Sequence, residues 1–428
     1  MPNQANDWTK VRYELDKSSN FNEICNSPWY SDAVYEKFPE AEYARRHALA
    51  RELMARDGLD AIVLCGSPNI YSHGSGVTWG CGLIDARGMA QYLVLPMKGD
   101  PTLIYPHPGC HIEAVRKMVS IRDVRGGQHG HYGRAVAERL AELGLQKGRI
   151  GITAADRTGP EFMGVNAYLE MKKHLPEATF EFVPMLLHEL TYRKSAEEFR
   201  AMAKAGELAM AAQRAVAARA KPGVREYQLA AAATHAVQDG GGQVHLLMIG
   251  STSMHDPKLV FPNPNPSQRV LAQGDVVLCE LAMTYMGYTA KIGHPVTIGR
   301  PTERYQTFFK EVVAPGFKAV EAQVKPGNTL EAARKAVAGV FRAKGAQSRP
   351  ILFHGHDLIT SLPFVMTDEV KGAPFDMTIQ PGMSYGIEIT PINADGTFGI
   401  FLSRSYAITE SGAQALTPFP VDDFIVAG

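Results

Sequence analysis

Residues 217–241, AARAKPGVREYQLAAAATHAVQDGG, are echoed by residues 321–345, EAQVKPGNTLEAARKAVAGVFRAKG. In both, a helical pattern closes on Lys-Pro-Gly and a second Ala-rich helical pattern runs on to a glycine. Pro-Gly punctuates a helix rather than continuing it, so each segment reads as a helix pair. A plan shared along both segments predicts an internally duplicated C-terminal domain with pseudo-twofold helix pairs. The strands around these pairs are QVHLLMIGS (243–251), the hairpin GDVVLCELAMTYMGYTAKIGH (274–294), ILFHGHDLI (351–359), MSYGIEITPI (383–392) and GIFLSRSYAIT (399–409). Glu280, Lys291, His356 and Glu388 interrupt their apolar runs. A buried carboxylate survives only with a partner, so Glu280 requires a metal ion, an Arg or a Lys beside it. Ionisable residues in several strands of one sheet are expected to converge on a single cavity.

A chain of 428 residues exceeds one hydrophobic core of ordinary size. The expected division is a polar extension over 1–40, an α/β domain over 41–192 and the duplicated domain over 193–428. The α/β domain opens on an amphipathic helix, AEYARRHALARELMARDGLD (41–60), with Leu49, Leu53 and Met54 on one face. Strands AIVLCG (61–66), QYLVLP (91–96), TLIYP (102–106), RIGIT (149–153) and FEFVP (180–184) follow, with a helix over 132–144. No glycine-rich phosphate loop follows any of them. Ser195 and Glu198 form a capping box for the helix that opens the second domain.

Lys+Arg and Asp+Glu number 44 each, so the basic excess that nucleic acid or an anionic membrane surface requires is missing. Cys25, Cys65, Cys81, Cys110 and Cys279 are widely spaced and fall in no ligand pattern, which reads as reduced thiols. The N-terminal residues lack a signal-peptide core and no run reaches the length of a membrane span. The expectation is a cytoplasmic protein acting on a small molecule.

The order of short markers along the chain resembles the creatinase, prolidase and aminopeptidase P superfamily. The markers are KSAEEF at the domain entry, KPG before a helix, GDVV into a GY hairpin, a Gly-His pair, PGM before a Glu strand, and ITESG near the end. The resemblance covers roughly residues 41 to 425 and implies a pita-bread (creatinase/aminopeptidase-like) α+β C-terminal domain behind an α/β N-terminal domain. In the metallopeptidase branch five residues hold two divalent metals. Matched by position, this chain offers Glu280, Lys291, His356, Glu388 and Ser403, of which only His356 and Glu388 keep the family's residue type. Lys291 and Ser403 cannot replace carboxylate ligands, and an ammonium supplies positive charge where the family has metal. The resemblance therefore implies a non-peptidase branch with a degenerate metal site and no cofactor. The creatinase base is not intact either, since its histidine aligns with Asn263.

On this reading the protein is a metal-independent hydrolase or lyase of a small polar metabolite. His356, Glu388, Glu280 and Lys291 are its catalytic candidates. His356 is either an acid/base group or a core histidine left by a decayed metal site, and Glu280 with Lys291 is either a structural ion pair or part of the chemistry. His354 shares a face with His356 if the strand is regular. Asn263, His294, Tyr285, Tyr288 and Arg404 are substrate-binding candidates, Arg404 the weaker because strand alternation sets it opposite Ser403. By resemblance, His73, Trp79 and His107 of a neighbouring N-terminal domain complete the pocket of a homodimer. His107, Cys110 and His111 alone make a poor metal site. Two alternatives stand beside this reading. One divalent metal (iron, manganese or zinc) on Glu280, His356 and Glu388 gives a metal-dependent hydrolase or lyase or an Xaa-Pro-type peptidase, and an inactive pita-bread module gives a binding protein.

Overall fold

The computed structural model describes residues 34–66, 75–84, 90–106, 110–127, 130–154, 161–367 and 377–427. The chain divides into two units, Met1–Leu190 and Thr191–Gly428. His73 and His107 lie outside the described residues, as does most of the N-terminal extension.

In the first unit, helix α1 (Glu40–Asp57) precedes strands β1 (Ala61–Gly66), β2 (Gln91–Pro96), β3 (Thr102–Tyr105), β4 (Asp123–Gly126), β5 (Arg149–Ile152) and β6 (Thr179–Phe182). They pair in the order β4-β3-β2-β1-β5-β6, antiparallel through β3-β2-β1 and parallel at the other joins. β1, β2 and β3 are buried at every residue, as strands covered on both faces must be. The buried stripe of α1 is Glu42, Tyr43, Arg46, Ala50 and Met54, with Leu49 and Leu53 half-buried at its edge. A fully buried arginine is tolerated because Arg46 donates to Glu42 at 2.7 Å and to the Trp79 carbonyl at 2.8 Å, and stacks on Phe38 and Tyr43. Trp79 itself is fully buried in the core of this unit, so it is a packing residue and presents no surface to a substrate.

The second unit begins with α2 (Ala196–Arg219), capped by the Ser195–Glu198 box, and α3 (Glu226–Asp239). Strands β7 (Gln243–Ser253), β8 (Asp275–Tyr285), β9 (Tyr288–Gly293) and β10 (Val296–Ile298) follow, then α4 (Ala314–Glu321) and α5 (Leu330–Ala343). The last strands are β11 (Gln347–Ser348), β12 (Ile351–His356), β13 (Thr360–Met366), β14 (Ser384–Ile389), β15 (Pro391–Ile392), β16 (Leu402–Thr409), β17 (Gly412–Ala415) and β18 (Ile425–Ala427). The main sheet runs β13-β12-β14-β16-β9-β8-β10-β18, with β7 beside β8 and β17 beside β16.

The duplication is visible bond by bond. Gly223 and Gly327, the glycines of the two Lys-Pro-Gly sequences, adopt φ 87° and 86°, a left-handed conformation that glycine takes without strain. Gly223 N–H donates to Leu271 and Gly327 N–H to Ile379, while Leu271 N–H returns to Val224 and Ile379 N–H to Asn328. A single bridge joins Arg225 to Val270 in one half and Thr329 to Thr378 in the other. Glu280 lies nine residues beyond Leu271 and Glu388 nine beyond Ile379, so the two carboxylates occupy equivalent places.

Alternation divides the sheet into a packing face and a chemical face. Val277, Cys279, Leu281, Met283 and Ile292 pack with α2 and α3, and Phe353, Tyr385, Ile387 and Tyr406 pack with α4 and α5. The opposite face carries Glu280, Lys291, Ser403, Ser405, Glu388, His354 and His356. β8 turns into β9 through Met286 and Gly287, both at positive φ (50° and 81°), which is the geometry of a tight two-residue hairpin.

Candidate active site

Lys291 is the centre of the chemical face. Its backbone is fixed from two sides: the N–H donates to Ser405 Oγ at 2.8 Å, and the carbonyl accepts from Thr417 Oγ1 at 3.1 Å. Lys291, Ser405, Gly386 and His354 fall on successive strands β9, β16, β14 and β12. The lysine side chain crosses over Ser405 and Gly386 to reach the far histidine, donating to His354 Nε2 at 2.9 Å. Glycine at 386 makes this possible, since a β-carbon there would stand 2.7 Å from Lys291 Cε. The same ammonium bonds Glu388 Oε2 and lies 3.6 Å from Glu280 Oε1. Lys291 and both carboxylates are nearly inaccessible to solvent. His354 Nδ1 sits 2.7 Å from the Gly355 carbonyl, which fixes the proton on Nδ1 and leaves Nε2 as the acceptor for Lys291.

The two carboxyls are driven apart. Burial pushes Glu280 up to about 7, the negative charge of Glu388 adds to the rise, and Lys291 and Arg349 oppose it. Burial acts in the same sense on Glu388, but the charge of Lys291 more than offsets it and brings that carboxyl down to about 2. Near neutral pH the site therefore holds one firmly ionised carboxylate and one carboxyl that keeps its proton close to neutrality. His356 is 4% exposed, and among the described residues neither ring nitrogen has a hydrogen-bond partner. Burial, followed by the charge of Lys291, holds its imidazole well below the ordinary histidine range, so it is neutral. Ser403 Oγ, also buried, is likewise without a partner. These nitrogens and this hydroxyl share the chemical face with Glu280, Glu388 and Lys291.

Parity sorts the substrate-binding candidates. Tyr285, Tyr288, His294 and Arg404 all fall on the packing face, so none of them lines the site. Tyr285 packs with the α2–α3 core. Tyr288 donates its hydroxyl to Glu198 at 2.8 Å, tying the hairpin to the capping box. His294 bonds the Pro420 carbonyl at 2.7 Å and packs on Phe309 and Phe419, and burial pushes it down to about 4. Arg404 is bonded to Glu321 and to the Phe419 carbonyl. Asn263 is the exception. It rests on Gly250, whose β-carbon would stand 2.9 Å from Asn263 N and Nδ2, and Gly250 shares the face of Glu280. The loop bearing Asn263 is anchored by Glu226, which accepts from Ser251 and Ser267, and by the Arg269–Asp275 pair at 2.6 Å.

Four residues that the sequence does not single out belong to this region. Lys194, beside the helix cap, pairs with Asp357 at 2.5 Å, both side chains being almost fully buried, and Asp357 directly follows His356. Its backbone carbonyl accepts from Thr289 N–H, so β12 is tied to β9 just beyond the histidine. His245 on β7 stands close enough for its charge to act on His356. Arg349 lies over the Phe261 ring, 3.5 Å from Cζ to the centroid. The KSAEEF marker and QVHLLMIGS contain two of these residues, but neither sequence says which distant group they meet.

The chain matches the profile of the Creatinase/Prolidase N-terminal domain over residues 46–190 and that of Metallopeptidase family M24 over residues 200–410. Together with the fold, these two matches place it in the creatinase/prolidase/M24 superfamily, with a creatinase-type N-terminal domain and a pita-bread C-terminal domain. Among its relatives, the probable dipeptidase PepE of Mycobacterium bovis is 25% identical over 412 residues, spanning 91% of this chain and 98% of that one. The Xaa-Pro dipeptidase of Pyrococcus horikoshii is 22% identical over 369 residues, 86% and 95% of the two chains. The crystal structure of dipeptidase PepE from Mycobacterium ulcerans superposes with a TM-score of 0.71 over 91% of this chain and 99% of its own, at 24% identity.

These relatives overturn two expectations. A metal-independent enzyme of a non-peptide metabolite is not what they describe, since they are named as peptidases. The expectation of no cofactor conflicts with a domain that matches a metallopeptidase family. The donors of this chain nevertheless do not assemble a metal centre as they stand. Among the described residues no three His, Cys, Asp or Glu side chains group so as to hold an ion, and this includes the set Glu280, His356 and Glu388. Lys291 lies between the two carboxylates instead. Among the described residues no helix is long and apolar enough to cross a membrane.

Proposed function

We propose that the protein is a hydrolase that cleaves the peptide bond of dipeptide-sized substrates, Xaa-Pro dipeptides first among them. One observation carries this reading. Glu280 and Glu388 meet the Lys291 ammonium on a face floored by glycine and serine, which also carries the His356 ring nitrogens that have no partner among the described residues. A carboxyl raised by burial, Glu280, and a neutral imidazole, His356, on one face can divide acid and base work between them.

Amide hydrolysis needs a proton acceptor for water and a proton donor for the departing amine. The neutral His356 has free ring nitrogens to take the proton of the attacking water. Glu280, still protonated close to neutrality, gives its proton to the amine nitrogen as the C–N bond breaks. Transfer of the proton from His356 to Glu280 then resets the site. Glu388 stays ionised throughout and, with His354, keeps Lys291 in place. The names of the full-length relatives support the choice of dipeptides. We further propose a homodimer, which light scattering checks as twice the chain mass.

The direct test is a panel of dipeptides, with and without proline in second position, incubated with purified protein supplied with a divalent ion. Free amino acids are expected, released fastest from the Xaa-Pro members. A panel left intact sinks the reading.

A further inference from the structure

We infer that the first unit carries a binding site for a free amino acid, between one face of α1 and the starts of β3 and β4. The site is lined wholly by residues of that unit and does not depend on the peptidase reading.

Glu40, Tyr43, Ala44 and His47 recur at the spacing that sets side chains on one face of a helix, and all four line a cavity of about 380 Å³. Ligand pockets span roughly 300–1,000 Å³, so this one suits a small molecule. β3 and β4 run parallel with Thr102 beside Asp123, which brings Asp100 and Arg122 to the same edge of the sheet, and both also line the cavity. Ala44 is exposed and puts only a methyl group in the middle of the helical stripe, so the space stays open. The walls are fixed, since Tyr43 is buried and His47 Nε2 sits 2.7 Å from the Gly80 carbonyl. That bond sets the imidazole proton on Nε2, and burial holds the ring below the ordinary histidine range, so Nδ1 is a neutral acceptor.

The charges decide the class of ligand. Among the described residues the side chains of Glu40, Asp100 and Arg122 enter no ion pair or hydrogen bond, although opposite charges line the same cavity. The carboxylate next to Arg122 in the chain does not neutralise it either, because Asp123 is taken by Thr102 at 2.7 Å and by Arg125 at 2.9 Å. A simple anion here would meet two carboxylates, and a simple cation would meet a guanidinium. A zwitterion satisfies both signs: its ammonium goes to Glu40, Asp100 and His47 Nδ1, and its carboxylate to the N–H fork of Arg122. Tyr43 and Ile121, both buried in the wall, offer apolar surface to an aliphatic side chain. The proposed reaction releases ligands of this class.

The experiment is calorimetry on the full chain with L-leucine, leucinamide and N-acetyl-leucine, for wild type, Ala44→Phe, Arg122→Met and His356→Ala. Wild type is expected to bind leucine with a Kd of roughly 0.1–1 mM, in keeping with so small a ligand. Each capped derivative should bind about tenfold more weakly, having lost one charge-assisted contact. Ala44→Phe fills the cavity and should abolish binding while its urea midpoint matches wild type, because the position is exposed. Arg122→Met should bind leucine and leucinamide equally and still prefer both to N-acetyl-leucine. His356→Ala should bind leucine as wild type does. A wild type that binds no leucine, or binds the capped forms as well, overturns the proposal. So does binding that survives Ala44→Phe and Arg122→Met, or that is lost in His356→Ala, which would put the ligand in the second unit.

Discussion

Burial makes ionising Glu280 costly to this fold. In the folded chain it keeps its proton up to about pH 7, whereas the ordinary value is 4.5. Its contribution to stability is complete below pH 4.5 and is lost as pH rises through 7. Glu388 behaves oppositely: held down to about 2, it stabilises the fold above pH 4.5, and that contribution disappears as pH falls toward 2. Glu280→Gln removes the first dependence and leaves the second. Buried neutral His294 and His356 make stability rise with pH in both proteins, so the wild-type urea midpoints should fall relative to those of Glu280→Gln between pH 5 and 8. Parallel curves would show that Glu280 is not the group responsible. Lys291 has the converse role, since it neutralises charge that has no other route to solvent. Lys291→Met should cost about 3–5 kcal/mol in denaturant unfolding at neutral pH, the usual consequence of leaving a buried charge alone. Lys291→Asp replaces the ammonium with a third carboxylate between Glu280 and Glu388. It should bind manganese at least tenfold tighter than wild type by calorimetry; unchanged affinity would mean that the lysine is not what separates these donors.

At the scale of strands, alternation governs which residues share the site, and much of this is legible in the sequence. Counting by twos from Lys291 along β9, and matching the apolar runs of the neighbouring strands, puts Glu280, Glu388, His354 and His356 on one face. The same count excludes Tyr288 and His294, which are tempting only because they lie close to Lys291 in the chain. Arg404 fails by the same rule, as its position opposite Ser403 already implies. Sequence cannot supply the pairings made by closure of the fold, such as Lys194 with Asp357 or Arg349 with Phe261, because they join segments that no local pattern connects. The helix α1 shows another limit: its buried stripe includes Arg46, which hydropathy assigns to solvent until Glu42 and the Trp79 carbonyl are known to meet it. Two element-scale substitutions follow. Met286 holds φ 50° at the hairpin turn, where a side chain is strained. Met286→Asn should raise stability by about 1 kcal/mol in denaturant unfolding while leaving the chemistry alone. Gly386→Ala puts a methyl group against the Lys291 stem and should cost about 1–3 kcal/mol, together with most of the activity.

Over the whole second unit, duplication explains why the site exists. Two copies of a helix pair followed by a strand set Glu280 and Glu388 in equivalent positions, and the sheet brings the copies together on one face. The Lys-Pro-Gly repeat announces this architecture in the sequence, and the marker order announces the superfamily. The substitutions of Lys291 and Ser403 at ligand positions suggest a departure from peptide chemistry, whereas the relatives named as dipeptidases point back to it. Local ligand changes alter how a site handles charge, and they do not by themselves dictate which bond the surrounding pocket presents. The decisive measurement is the rate of amino-acid release from Ala-Pro by wild type and by Glu280→Gln, both supplied with a divalent ion at pH 7. Cleavage by wild type, with a fall of about 10²- to 10⁴-fold in the variant, is the expected result. An inert wild type, or a Glu280→Gln protein that cleaves as fast as wild type, would contradict it.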